Sequence, residues 1–569
     1  MRSTITMNNL TVANNSVLSN ANSGTIYLTV GANVSIVNSI ISDNELRPVL
    51  STSFNAPNTV SVSHSVIDGG QDSIVTNDNL TINWGSGNID VDPRFLDAEN
   101  DDYHLLASSQ LINAGHPDSL DSDGTVADIG AYSYLNSYSG PTWYITEAGN
   151  DSTATGASDD PFRSIQSGIN FSSDADSVAV AAGTYVENIN FRGRNIKVAG
   201  EDRETTIIDG DSSGSVVLFG SGVTQDALLK NFSIINGNAS SESISSQGGG
   251  ILCYTSTGVQ NDAGSPTLEN LVIRDNYAEN YGGGISMNGE VTSYLKNILI
   301  VNNHAGNLGG GIHVQNDRQL QLENVTVVNN SATYGAGGML VWNGIAVSVV
   351  NSFIGNNNPP QIQFDDFNNS GYSSTISFSY SSVTDTIVYP NNGTINWVSS
   401  NIDVDPMFVD TANGNYNLLA SSQLINAGHP DSTDSDGTRA DMGAYPYLNN
   451  YSGPDWFVSE SGNDTTATGA SGNPFRSIQA ALNFGSDDDT AYVSAGTYNE
   501  NLVYRYDQSE SIRSVSLIGD NKETTIIDGQ QIAACIKLPS GGYSSPLIKN
   551  FTIRNGYANG EMENNAFNQ

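Results

Sequence analysis

The sequence predicts an all-β chain wound as a parallel β-helix, and three observations between Leu268 and Asn357 predict it. Asn270, Asn297, Asn324 and Asn351 recur every 27 residues, with Asn276, Asn303, Asn330 and Asn357 in the same register. Glycine clusters keep that step at Gly282-Gly283-Gly284, Gly309-Gly310-Gly311 and Gly335-Ala336-Gly337-Gly338, each followed by an apolar residue at Ile285, Ile312 or Met339. Apolar residues alternate in short runs, Leu271 and Ile273, then Ile285 and Met287, and change phase between runs. A fixed period of this length marks a solenoid. Alternation of period two marks strands, and each phase change at Asn or Gly marks a corner. With coils stacked about 4.8 Å apart, residue i lies on residue i+27 and equal asparagines form ladders.

The run Leu268-x-x-Leu271-x-Ile273-x-x-Asn276 also fits a leucine-rich repeat, and the match recurs from Leu295 and Leu322. Such a repeat spends the rest of its unit on a helix or helical turn. Here the remainder is Tyr-Gly-Gly-Gly-Ile-Ser-Met or Leu-Gly-Gly-Gly-Ile-His-Val, which reads as a turn and another strand.

A solenoid accommodates 569 residues because its core is a line rather than a sphere. The net charge of −40, from 60 acidic and 20 basic residues, argues against nucleic acid and against an anionic membrane surface as partners. It also disfavours a polyanionic polysaccharide unless cations intervene. Such a surface suits high salt, and its sharper reading is calcium binding. Cys253 and Cys535 do not occupy equivalent repeat positions, so each is expected to be a small core residue rather than half of a disulfide. No apolar run is long enough to span a membrane, and the Met1-Arg2-Ser3 start lacks a signal-peptide core.

A longer repeat overlies the coils. Val91 through Tyr132 recurs at Val404 through Tyr445, and Trp143 through Gln166 at Trp456 through Gln479, both at an offset of 313 residues. The expected organisation is the back part of one β-helix (1–136), a complete one (143–447) and the front of a third (456–569), as in a fragment of a longer protein. Each repeat opens with Trp143-Tyr144-Ile145-Thr146, an Asn150-Asp151 loop, and Pro161 to Phe171, where Phe162, Ile165 and Ile169 keep helical spacing. That spacing after a proline predicts a short helix covering the first coil. Each repeat closes with Val404-Asp405-Pro406, an Asp-rich loop and Met442-Gly443-Ala444-Tyr445. The short Pro/Gly/Asn/Ser stretch before Trp456, mirrored before Trp143, marks the expected boundary.

These motifs carry a resemblance. The coils with Asn-x-x-x-x-x-Asn and Gly-Gly-Gly-Ile resemble right-handed parallel β-helix proteins of the pectin-lyase-like superfamily. The opening Gly-Asn-Asp, Pro-Phe-Arg-Ser-Ile-Gln and Gly-Thr-Tyr resembles the front of many secreted members. The closing Val-Asp-Pro-Met-Phe, Ile-Asn-Ala-Gly and Asp-Ser-Asp-Gly-Thr-Arg-Ala-Asp-Met-Gly-Ala-Tyr is similar to the end region of bacterial choice-of-anchor Q surface proteins. The resemblance implies a secreted or cell-surface setting and leaves activity open, since one fold hosts many functions.

Polygalacturonate hydrolases that resemble the chain in fold carry Asn-Thr-Asp, Asp-Asp, Gly-His-Gly and Arg-Ile-Lys motifs, because inverting hydrolysis needs an acid and a base flanking a water. The only Asp-Asp inside a coil region is Asp365-Asp366, whose first-repeat counterparts are Thr52 and Ser53, and the other three motifs are absent. Lyases on the fold use a Lys or Arg base beside a calcium-bound uronate. The candidates are Lys296, Arg274 and Arg318, with His304 and His313 nearby in sequence. Histidines 116 and 429, in a repeated Ala-Gly-His-Pro-Asp, read as turn residues.

The metal candidates are Asp431, Asp434, Asp436 and Asp441, repeated at Asp118, Asp121, Asp123 and Asp128. Closely spaced carboxylates around Gly437 or Gly124 suit calcium's oxygen ligands, and equally suit a turn held by side-chain to backbone bonds. Tyr277, Tyr281, Tyr334 and Trp342, near the glycine clusters, are candidates for stacking on a glycan. The expected function is a non-catalytic secreted or surface β-helix for adhesion, surface structure or polysaccharide binding, its tandem copies suiting avidity. The alternative is a lyase or glycoside hydrolase acting on an acidic polysaccharide.

Overall fold

An asparagine placed where a strand must turn accepts a left-handed backbone that other non-glycine residues resist, because its short amide can bond locally. Asn270, Asn297, Asn324 and Asn351 adopt φ of +52°, +55°, +55° and +49°. Each interrupts the alternation between one inward residue and the next, Leu268 before and Leu271 after in the first of these coils. The phase change seen in the sequence is therefore a corner.

The computed structural model describes residues 4–16, 24–52, 56–76, 79–240, 245–255, 263–289, 292–315, 319–358, 360–365, 371, 373–384, 387–388, 393–505, 513–538 and 546–557. Two units are distinguished, residues 1–211 with 216–233, and residues 212–215 with 234–569. Both are built from right-handed parallel β-helix.

In the first unit, Thr4–Asn8, Asn33–Val37, Asn58–Ser63 and Leu80–Trp84 form one four-stranded parallel face. Thr11–Val12, Ile40–Ile41 and Val66–Ile67 form a second, and Gly24–Leu28, Arg47–Ser51 and Val75–Thr76 a third. Each coil thus has three sides. The antiparallel pair Phe95–Asp97 and Asp102–Leu105 follows. A new helix then begins with Thr142–Ile145, paired to Ser177–Val180 and through it to Lys197–Gly200.

In the second unit, Thr267–Arg274, Thr292–Val301, Gln319–Val328, Ala346–Val350, Ser374–Ser379 and Gly393–Ser399 stack in parallel register. Leu268, Leu295, Leu322, Val349 and Phe378 form a fully buried inward column, ending where Trp397 stacks on Phe378 at 4.9 Å. The remainder of each coil is Tyr277–Ala278 or His304–Ala305, then Ile285–Asn288 or Ile312–Gln315, all strand. This excludes the leucine-rich alternative. The glycine clusters are close approaches: a Cβ on Gly310 would be driven into the carbonyl oxygens of Ser331 and Gly337.

The second asparagine series is a buried ladder. Asn276 Nδ2 donates to Asn303 Oδ1 at 3.0 Å, Asn303 Nδ2 to Asn330 Oδ1 at 2.9 Å, and Asn330 Nδ2 to Asn357 Oδ1 at 3.0 Å. Each Oδ1 also accepts the backbone N–H of the asparagine one coil earlier. Gln361 ends the ladder by accepting from Asn357 at 2.8 Å.

The opening helices are Ile165–Phe171 and Ile478–Phe484, every residue buried. They start later than the proline predicts, because Phe162 and Phe475 stay extended and bridge to Ile145 and Val458. Both cysteines are buried and unpaired.

The corners make a test. Asn297→Val forces a β-branched residue to φ near +55°, which costs about 2 kcal/mol, whereas Asn297→Gly is expected to be near neutral. Urea denaturation of both variants measures the contrast; equal midpoints would show that the corner does not select its residue.

Candidate functional site

Along Ile285–Asn288, Ile312–Gln315, Met339–Trp342 and Ile362–Asp365 the first and third residues are buried inward. Parity turns the others outward, in columns Ser286, His313, Leu340, Gln363 and Asn288, Gln315, Trp342, Asp365. Tyr281 folds over them from the preceding turn. Its ring lies 5.1 Å from that of His313 and 4.8 Å from that of Trp342, and Asn307 Nδ2 donates to its hydroxyl at 3.2 Å. Trp342 is only 6% exposed, and Ser286 and His313 are fully buried. Ser286 Oγ and His313 Nδ1 are 3.0 Å apart. Burial lowers the His313 pKa to about 3, so the ring is neutral at physiological pH. A serine and histidine enclosed this way hold the wall together and offer no nucleophile to a polymer in solvent.

The accessible aromatics lie elsewhere. Tyr277 is 38% and Tyr334 is 78% exposed. Tyr277–Ala278, His304–Ala305 and Ser331–Ala332 are neighbours in one narrow sheet, so Tyr277, His304 and Ser331 form an outward column. The Tyr277 and His304 rings stack at 5.8 Å and 18°, and His304 Nδ1 is hydrogen-bonded with Ser331 Oγ at 2.9 Å. Of the four predicted glycan residues, the structure therefore places Tyr277 and Tyr334 at solvent and packs Tyr281 against Trp342.

Of the predicted basic residues, Lys296 and Arg274 do not converge. Lys296 Nζ pairs with Glu323 Oε1 at 3.0 Å and has Glu269 in register on its other side. The Tyr294 hydroxyl donates to the same Glu323. Arg274 lies at the far end of its strand, in register with Val301, and pairs with Asp275 at 2.6 Å. Arg318 lies outside the described residues. Asp365 ends a strand in register with Trp342, and Asp366 lies outside the described residues.

The Asp-rich loops share most of their hydrogen bonds. Asp121 Oδ2 accepts from Asp128 N, and Asp434 Oδ2 from Asp441 N, both at 2.9 Å. Asp123 accepts from Thr125 and Asn136 N, and Asp436 from Thr438 and Asn449 N. Asp128 accepts from Asn113 N and Tyr134 N at 2.7 Å each, and Asp441 from Asn426 N and Tyr447 N at 2.6 and 2.7 Å. Asp118 and Asp431 stand apart, almost fully exposed, their N–H groups donating to His116 and His429. Among the described residues no group of three or more His, Cys, Asp or Glu is placed to hold a metal ion. Burial raises the Asp128 carboxyl to about 7, and raises Asp441 through burial and the neighbouring Asp434.

Sequence reasoning missed two features. The enclosed Ser286–His313 wall had a signal, the Gly282-Gly283-Gly284 turn beside Tyr281, whose ring lies against His313 and Trp342 of the following coils. The second lies in the closing and opening regions and is described below.

The family described as a protein of unknown function (DUF1565) matches residues 460–560, the opening of the last repeat. No curated protein matches the chain in sequence. Among solved structures, the chain is similar to a pectin methylesterase from carrot, at 12% identity over 48% of this chain and 91% of that one, TM-score 0.24. It is similar to pectate lyase Pel9A at 16% identity over 54% and 96%, TM-score 0.24. A pectin methylesterase from Aspergillus niger is 13% identical over 48% and 94%, TM-score 0.20.

Proposed function

We propose that the middle repeat is a non-catalytic binding surface for a neutral polysaccharide, carried on a secreted or cell-surface β-helix. The observation behind this reading is the solvent-facing stack of Tyr277 on His304, with Tyr334 exposed beyond it. Aromatic faces laid along a repeating solenoid suit the apolar faces of successive sugar rings. Charge selects the glycan class. Lys296 and Arg274 are engaged by carboxylates, and a net charge of −40 repels uronates. The same pairings disfavour a role for these two residues as a lyase base, so binding without cleavage is the function assigned here. The Asp-rich loops serve structure in this reading, with or without calcium.

Affinity electrophoresis in gels containing a soluble neutral glucan or galactomannan tests it. Tyr277→Ala is expected to weaken retention about tenfold, and Tyr334→Ala several-fold, with no change between low and high salt because no ion pair is involved. Equal retention of both variants and the unaltered chain on every neutral glycan would remove the platform.

A further inference from the structure

The stretch between the closing region of one repeat and the opening strand of the next is composed like a loose connector, yet what flanks it is tightly joined. In the second unit the buried Asn483, on the opening helix, donates from Nδ2 to Ala420 O at 2.9 Å and Ser422 O at 2.8 Å, both in the closing region. Its Oδ1 accepts from Gln479 Nε2 at 3.0 Å, and Asn426 Nδ2 donates to its carbonyl at 3.1 Å. Arg505, from the coil beyond, donates to Ile425 O at 2.5 Å. From the other side the Tyr447 hydroxyl donates to Ala467 O at 2.6 Å, and Asn449 Nδ2 to Thr468 O at 3.1 Å.

The first unit holds the same joint 313 residues earlier. Asn170 Nδ2 donates to Ala107 O and Ser109 O at 2.9 and 2.7 Å, and Arg192 to Ile112 O at 2.8 Å. The Tyr134 hydroxyl donates to Ala154 O at 2.7 Å, and Asn136 Nδ2 to Thr155 O at 3.0 Å. The apolar core crosses the second joint unbroken: one buried cluster runs from Val328 and Phe353 through Leu424, Ile425 and Met442 into Ile478, Leu482 and Phe484. Two joints with the same donors and acceptors are a built interface, whose buried amides and guanidinium would be costly if left unpaired.

From this we infer that the closing face of each repeat is a docking surface for the opening cap of a following copy of the same module. Recognition rests on surface complementarity, to which Tyr447 and Asn449 at the start of the connecting stretch add hydrogen bonds; the chain continuity that the stretch supplies is not required. The closing face presents carbonyl oxygens in an apolar rim; the opening helix meets them with an asparagine amide, and the coil beyond with one arginine Nη1. The inference does not depend on the glycan reading.

The test cuts the tether and asks whether the joint holds. A specific protease site is inserted at the exposed Ser452 of the full chain, the chain is cleaved, and the two pieces are followed by size-exclusion chromatography at micromolar concentration. The expected result is co-elution as a 1:1 complex, parting only in denaturant. In the cleaved chain, Tyr447→Phe is expected to raise the dissociation constant about tenfold, and Asn483→Ala with Arg505→Ala at least a hundredfold, with far-UV circular dichroism of the uncut variants unchanged. Native separation of the unaltered pieces, association only as polydisperse aggregate, or retention of the double variant as firmly as the unaltered joint would each overturn the inference. Should Asn483→Ala with Arg505→Ala fail to fold, Tyr447→Phe decides, since it removes one hydroxyl and leaves the packing in place.

Discussion

Replacing Asn303 with alanine is expected to destabilise the middle β-helix by about 3 kcal/mol. The side chain sits at the centre of the ladder, where its Oδ1 accepts both the backbone N–H and the Nδ2 of Asn276. Its own Nδ2 donates to Asn330 Oδ1 and to Ile273 O at 2.9 Å each. Alanine leaves a buried backbone N–H and a buried carbonyl without these partners, each worth about 1–3 kcal/mol. Aspartate is expected to do worse than alanine, since it keeps the acceptor, loses the donor and buries a charge. A fall in urea midpoint, with amide exchange accelerated at Asn276, checks this; an unchanged midpoint would mean the ladder is decoration rather than support.

The second large effect is a gain of stability on mild acidification. Glu187 and Glu500 each accept the first two helix N–H groups, from Ile165 and Gln166 or Ile478 and Gln479, at 2.7–3.0 Å. Burial nonetheless pushes both to about 7, as it does Asp128, while Asp441 is raised in the same direction. These groups take up protons in the folded chain at a pH where the unfolded chain has released them. Their contribution to stability is fully present below the ordinary carboxylate range and is lost as pH rises through about 7. His313, lowered to about 3, and His64, also lowered by burial, act oppositely below the ordinary histidine value of 6.5, two groups against these four carboxyls and Asp434, which burial raises to about 6. Between pH 7.5 and pH 5.5 the net gain is on the order of 4 kcal/mol, reinforced by relief of repulsion within a chain of net charge −40. Denaturant midpoints at the two pH values measure it, and a midpoint that falls on acidification would contradict the assignment.

Residues whose role repeats with the coil were legible in the sequence. The asparagine ladder, the left-handed corners and the glycine turns could be read because each recurs at a fixed step and identical residues stack on one another. The placement of Trp342 could not, because outward parity alone does not reveal that the Tyr281 ring reaches across to the strands of the following coils. Nor could the joint, which connects residues about sixty positions apart, Asn483 with Ala420 and Ser422, and occurs once per long repeat rather than once per coil. The Asp-rich loops illustrate a third limit. Carboxylates spaced to surround a cation are also spaced to accept the N–H groups of their own turn, and only geometry separates the two.

The central claim, a polysaccharide-binding β-helix that does not cleave its ligand, is tested most directly on the full chain with a panel of neutral and acidic polysaccharides, with and without calcium. Retention, reducing ends and the absorbance of unsaturated products are followed together. The account predicts retention on a neutral glycan, independent of salt, with neither product signal. Release of reducing ends or new absorbance from an acidic polysaccharide would contradict it and direct mutagenesis to Asp365, Asp366 and Lys296.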